Sequence, residues 1–66
     1  MKDPEYEAGR QDGYRWMTEE VLKNYNATEA RKILNQKRKE LTGNGAFRNR
    51  RDEGFFDGAR GALAGQ

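Results

Sequence analysis

The sequence predicts an all-α protein. Apolar residues recur at helical spacing through three segments, no segment alternates with period two, and two of the segments open on a residue suited to cap a helix. The expected helices cover about residues 4–24, 27–42 and 46–64 of a single small domain, 1–66. They would form a helical hairpin or small bundle, completed by homodimerisation.

Asp3-Pro4-Glu5 is a strong start for the first helix. Asp can cap the free N–H groups, Pro suits the first helical position, and Glu favours the positive end of the helix dipole. Tyr6, Tyr14, Met17, Val21 and Leu22 then recur as an apolar stripe, which Trp16 widens. Asn26, with Glu29 three residues on, reads as a capping box that starts the second helix at Ala27. A break or bend at 24–28 is therefore expected; the alternative is one continuous helix, since neither Gly nor Pro interrupts it.

In the second helix Ala30, Ile33, Leu34 and Leu41 share one face. Arg31 and Arg38, and likewise Lys32 and Lys39, lie seven positions apart on the other side, so two helical turns align them into a basic ridge. Gly43-Asn44-Gly45 ends the helix, with Gly43 suited to the position just past its C-terminus. The last helix offers Phe47, Phe55, Phe56, Ala59 and Leu63 as its apolar side.

A chain of 66 residues with no cysteine has no disulfide to supplement a small core. At 33% hydrophobic and 36% charged it lies near the disordered class, but its seven aromatic residues and its periodicity indicate a folded state. The polar opening Met1-Lys-Asp-Pro-Glu and the lack of any long apolar run predict neither secretion nor membrane insertion. A cytoplasmic location is expected. Charge is distributed unevenly: residues 1–22 carry six acids and three bases, 23–51 nine bases and two acids, and 52–66 three acids and one base.

The most informative feature is a doubled motif. Glu7-Ala-Gly9-Arg-Gln-Asp12-Gly13-Tyr-Arg15 and Asp52-Glu-Gly54-Phe-Phe-Asp57-Gly58-Ala-Arg60 share acid-x-Gly-x-x-Asp-Gly-x-Arg, forty-five positions apart. Glycine inside a helix costs about 0.8–1 kcal/mol relative to alanine. Such a penalty implies compensation by close helix approach, and Gly9/Gly13 and Gly54/Gly58/Ala62 place small residues four apart on one face. Parallel, in-register packing would set Asp12 against Asp57 and Arg15 against Arg60. Antiparallel packing would instead give Glu7–Arg60, Arg10–Asp57 and Arg15–Asp52. Charge therefore predicts an antiparallel contact, which an up-down-up bundle does not supply within one chain, and so a two-fold homodimer. A close intrachain contact is the alternative.

The sequence holds no His, Cys or Ser, which removes nucleophilic triads, thiolate chemistry and ordinary zinc sites. Adjacent carboxylates such as Glu19/Glu20 diverge on a helix. The glycine motifs follow no strand and precede no Gly-Lys-Ser/Thr. No catalytic, cofactor or metal residues are predicted, and the expectation is a non-enzymatic binding protein. A protein partner comes first, with Trp16, Tyr25 and Phe47 as aromatic anchors and Arg31, Arg38, Arg48 and Arg51 as charged contacts. The alternative is an RNA-, DNA- or ribosome-binding protein that uses the basic region 31–51.

Glycine-spaced helices in a tiny basic protein, with short stretches such as Leu34-Asn35-Gln36, are similar in style to the ribosome modulation factor family. That family's Cys-Pro-Tyr segment is absent here, and no site is carried over. In size and composition the chain also resembles phage-encoded inhibitors of host machinery, anti-CRISPR proteins among them. That likeness implies a steric mechanism, with the protein occupying a partner's working surface.

Overall fold

The computed structural model describes residues 3–43 and 45–65; Asn44, in the predicted loop, and Met1-Lys2, in the predicted polar opening, lie outside them. The chain forms α1 (Pro4–Trp16), a π-helical turn (Met17–Val21), the single turn α2 (Leu22–Asn24), α3 (Ala27–Thr42) and α4 (Arg50–Ala64). All regular structure among the described residues is helical. Three helical arms pack as a small bundle, the first being α1 continued through the π turn and α2.

Side-chain caps set most of the boundaries. Asp3 accepts hydrogen bonds from the backbone N–H groups of Glu5 (3.1 Å) and Tyr6 (3.2 Å). The expected break is present: Tyr25 is extended, and Asn26 accepts from the N–H of Glu29 at 2.8 Å. Gly43 closes α3 at φ 60°, ψ −85°, a conformation suited to glycine, and its N–H reaches the Lys39 carbonyl. The last helix begins at Arg50, not at residue 46. Asn49 is extended and accepts from the N–H of Asp52 at 2.8 Å, which starts the helix there. A regular first helix was also expected. Instead, between Met17 and Val21 it widens into a π turn, with the Leu22 N–H reaching back to the Met17 carbonyl.

The doubled motif joins α1 to α4 within one chain. A Cβ at Gly9 would lie 2.0 Å from the Arg51 carbonyl oxygen, and one at Gly54 would lie 2.1 Å from that of Tyr6. A Cβ at Gly13 would lie 1.9 Å from the Phe55 carbonyl oxygen, and one at Gly58 would lie 1.9 Å from that of Arg10. Adding forty-five to each α1 position converts one contact into the other. The two helices therefore run parallel and in register about a local pseudo-two-fold axis. This overturns the antiparallel register predicted from charge. The glycines allow backbone to touch backbone, as in Gly-x-x-x-Gly helix pairs, where Cα–H groups lie against carbonyl oxygens.

The small core stands beside this seam. Met17, Val21, Ala30, Leu34, Ala59 and Ala62 are buried, and Trp16, Leu22, Ile33, Phe56 and Leu63 pack against them. α3 runs back along α4: Ala30 and Leu34 join Ala59 and Ala62 in the core, while further along Arg38 lies over Phe56. Covering one flank breaks the pseudo-symmetry. Phe55, Phe56 and Ala59 lie on the flank next to α3, whereas their counterparts Arg10, Gln11 and Tyr14 are exposed on the flank left open. Tyr14 was expected in the apolar stripe and is 53% exposed because nothing packs over that side.

Candidate functional site

Twelve of the thirteen basic residues lie among the described residues, and they divide into two groups. Arg10, Arg15, Lys37, Arg50, Arg51 and Arg60 each have a carboxylate within 4.0 Å. Among the described residues, Lys23, Arg31, Lys32, Arg38, Lys39 and Arg48 have none. Four of these six are on α3 and the other two flank it in sequence, so the unneutralised charge is concentrated there.

Ten of the sixteen residues of α3 are exposed, because, Thr42 in the last turn apart, only a narrow stripe through Ala30 and Leu34 is buried. At about 100° per residue, Arg38, Arg31, Asn35, Thr28, Lys39, Lys32 and Gln36 share an outward sector of about 160°, which holds one buried residue, Thr42 in the last turn. No acid interrupts it. Glu29 and Glu40 lie beyond its far edge, and Glu40 approaches Lys37 at 4.0 Å. Within the sector the arginine pair forms one border, the lysine pair lies across from it, and Asn35 stands between them.

The predicted aromatic anchors fare differently. Tyr25, just before α3, is 47% exposed. Trp16 is half-buried, with its ring 5.4 Å from Phe55 and the Lys37 ammonium 5.6 Å above it. Phe47 is also half-buried, 5.7 Å from Phe56. Arg38 and Arg60 approach the same Phe56 ring at 5.9 and 5.8 Å. These cations shield the small core's edge as well as carrying charge. Arg48 is exposed, whereas Arg51 donates from Nη2 to Asp12 Oδ2 at 2.9 Å and so helps join the α1–α4 seam. Gly9, Gly13, Gly54, Gly58 and Ala62 are all buried, the four glycines in that seam and Ala62 in the core.

A second polar cluster sits at the N-terminal ends of α1 and α4. The Tyr6 hydroxyl donates to Asp57 Oδ2. Arg50 stacks over the Tyr6 ring at 4.8 Å, while its Nε and Nη1 reach Asp3 (2.8 Å) and Glu53 (2.6 Å). The hydrogen bond to Asp57 raises the Tyr6 pKa above its ordinary value. The bond from Arg50 lowers that of Asp3. Every side chain here has a partner on the neighbouring helix or in its own first turn, which makes the cluster a fastening between helices.

Sequence reasoning did not name Tyr14, Asn35 or Gln36 as site residues. Tyr14 lines an open hollow with Arg10, Gln11, Arg15, Thr18 and Glu19. Asn35 and Gln36 could have been found by plotting α3 as a helical wheel. Among the described residues no helix is long and apolar enough to cross a membrane, and no group of three or more acidic, His or Cys side chains is placed to hold a metal ion.

Fold and surface together define a three-helix, all-α protein with a basic outer helix. Searches against protein families, curated proteins and solved structures found no significant match for this chain.

Proposed function

We propose that this protein works without catalysis, by docking α3 and its flanks on an anionic macromolecular partner. The carrying observation is the acid-free sector of α3, where cations unpaired within the chain flank the Asn35 amide. Nucleic acid fits that chemistry best, because phosphates would accept the six free cations and a base edge the Asn35 amide. The sequence put a protein partner first, on the strength of Trp16, Tyr25 and Phe47; half-burial of Trp16 and Phe47 weakens that ground, while Tyr25 stays exposed. Binding should therefore depend steeply on salt. If all six cations meet phosphates, the log–log slope for duplex DNA is about −5. Titration of mixed-sequence DNA and RNA at several salt concentrations tests this, and no binding at low salt would sink the reading.

A protein partner has separate support in the open flank of α1, where Tyr14 stands exposed amid Arg10, Gln11 and Arg15. Such a partner would suit an inhibitor of the phage-encoded type. It would stay bound in a pull-down after nuclease treatment and be lost on Tyr14→Ala. A homodimer would need a surface other than the glycine seam, which is filled within the chain.

A further inference from the structure

Taking the nucleic-acid reading of α3 as its basis, we propose that the ligand is B-form duplex DNA, with α3 lying in the major groove. A helix of sixteen residues is about 24 Å long, and a major groove about 12 Å wide admits an α-helix. The order of side chains around α3 matches what that groove presents. Arg31 and Arg38 form one border, Lys32 and Lys39 the other, and Asn35 lies between them. With Asn35 facing the groove floor, the two cation pairs lie on the sides of the two phosphate backbones, and Arg38 reaches its phosphate by swinging out from over Phe56. Asn can make a bidentate pair with adenine N7 and N6. Gln36, at the sector's far edge, would reach the backbone on the lysine side.

Two further features favour duplex DNA over other nucleic acids. Single strands are held by bases stacking on aromatic side chains, and the outward sector of α3 contains no aromatic residue. Duplex RNA has a deep, narrow major groove that side chains do not read. Access is also good: α3 packs against α4 and the π turn on one side and leaves ten residues exposed on the other.

The test is fluorescence anisotropy of the full chain with three labelled probes of one mixed sequence: duplex DNA, its single strand and duplex RNA. Duplex DNA should bind at least about tenfold tighter than either alternative. The double variant Lys32→Ala/Lys39→Ala should lower the magnitude of the salt slope by about 2. Asn35→Ala should leave the slope unchanged and reduce discrimination among duplexes of different sequence. All three positions are exposed, and circular dichroism of each variant is the check that it folds. Equal or tighter binding to single strands or duplex RNA overturns the duplex-DNA proposal and leaves the nucleic-acid reading standing. No binding to any probe at low salt overturns both.

Discussion

Asp12 and Asp57 occupy the same place in the two copies of the motif, yet they face different partners on opposite flanks of the helix pair. Asp12 accepts from Arg51, and Asp57 accepts from Tyr6. Arg51 and Tyr6 are themselves equivalent, each three positions before the first glycine of its motif. In a parallel pair with two-fold symmetry, equivalent residues approach only along the seam, and those on the flanks are separated by both helices. The glycines fill the seam, so the repeated acids do not repel each other across it. One flank bond is an ion pair and the other joins a phenol to a carboxylate.

The glycine seam predicts opposite outcomes for one substitution at two sites. A Cβ at Gly13 or Gly58 would run into a carbonyl oxygen of the facing helix, whereas at Gly61 it would meet nothing within 4 Å. Gly61→Ala should raise stability by about 0.5–1 kcal/mol through helix propensity. Gly13→Ala or Gly58→Ala should lower it by about 1–3 kcal/mol or more, because backbone must move. In thermal melts, each kcal/mol in a domain of this size shifts Tm by about 4–8 °C. A Gly13→Ala protein as stable as Gly61→Ala would refute the seam.

Much of this fold was legible because its signals are local. Asp3 and Asn26 cap where their side chains reach the next turn, and Ala30 and Leu34 fall in the core by helical spacing. The π turn was not legible, because it is one residue of extra winding without a local sequence mark. Register was misread for a different reason. Equivalent charges were paired face to face, which holds only on the seam and not for flank residues such as Asp12. The candidate surface was half legible: Arg31, Arg38 and Arg48 stand exposed, but the ion pair of Arg51 with Asp12 depends on tertiary contact.

Tyr6 makes the fastening sensitive to alkali. Its hydroxyl donates to Asp57, which raises its pKa above the ordinary 10.0. A raised pKa means that folding favours the protonated phenol. Its stabilising contribution is therefore complete below pH 10 and lost as pH rises through the folded-state value. Denaturant midpoints measured from neutral pH into this range should fall more steeply for the natural chain than for Tyr6→Phe. Parallel curves would remove Tyr6 as the cause.

Asp3 has the opposite dependence. Arg50 holds its carboxylate below the ordinary value of 3.8, so its contribution is present above that pH and disappears as pH falls through the folded-state value. Asp3→Asn keeps a good helix cap and removes the charge. The stability difference between the natural chain and Asp3→Asn should be visible near neutral pH and should vanish in acid. A difference that persists in acid would mean that capping, and not the bond to Arg50, is what the substitution disturbs.

The ion pairs also rank the arginines for binding. Arg51 is engaged by Asp12, and its side chain completes the α1–α4 seam, whereas Arg48 has no acidic partner among the described residues. A phosphate approaching Arg51 must compete with a carboxylate already 2.9 Å away, and capturing it would leave Asp12 unpaired. Arg48→Ala should therefore lower the magnitude of the salt slope of nucleic-acid binding by about 1 with little change in stability. Arg51→Ala should leave the slope nearly unchanged and lower stability by about 0–1 kcal/mol, the range for a half-exposed ion pair. Thermal melts and anisotropy titrations on the two variants separate these effects. A slope that falls for Arg51→Ala and not for Arg48→Ala would move the binding face from α3 towards the start of α4.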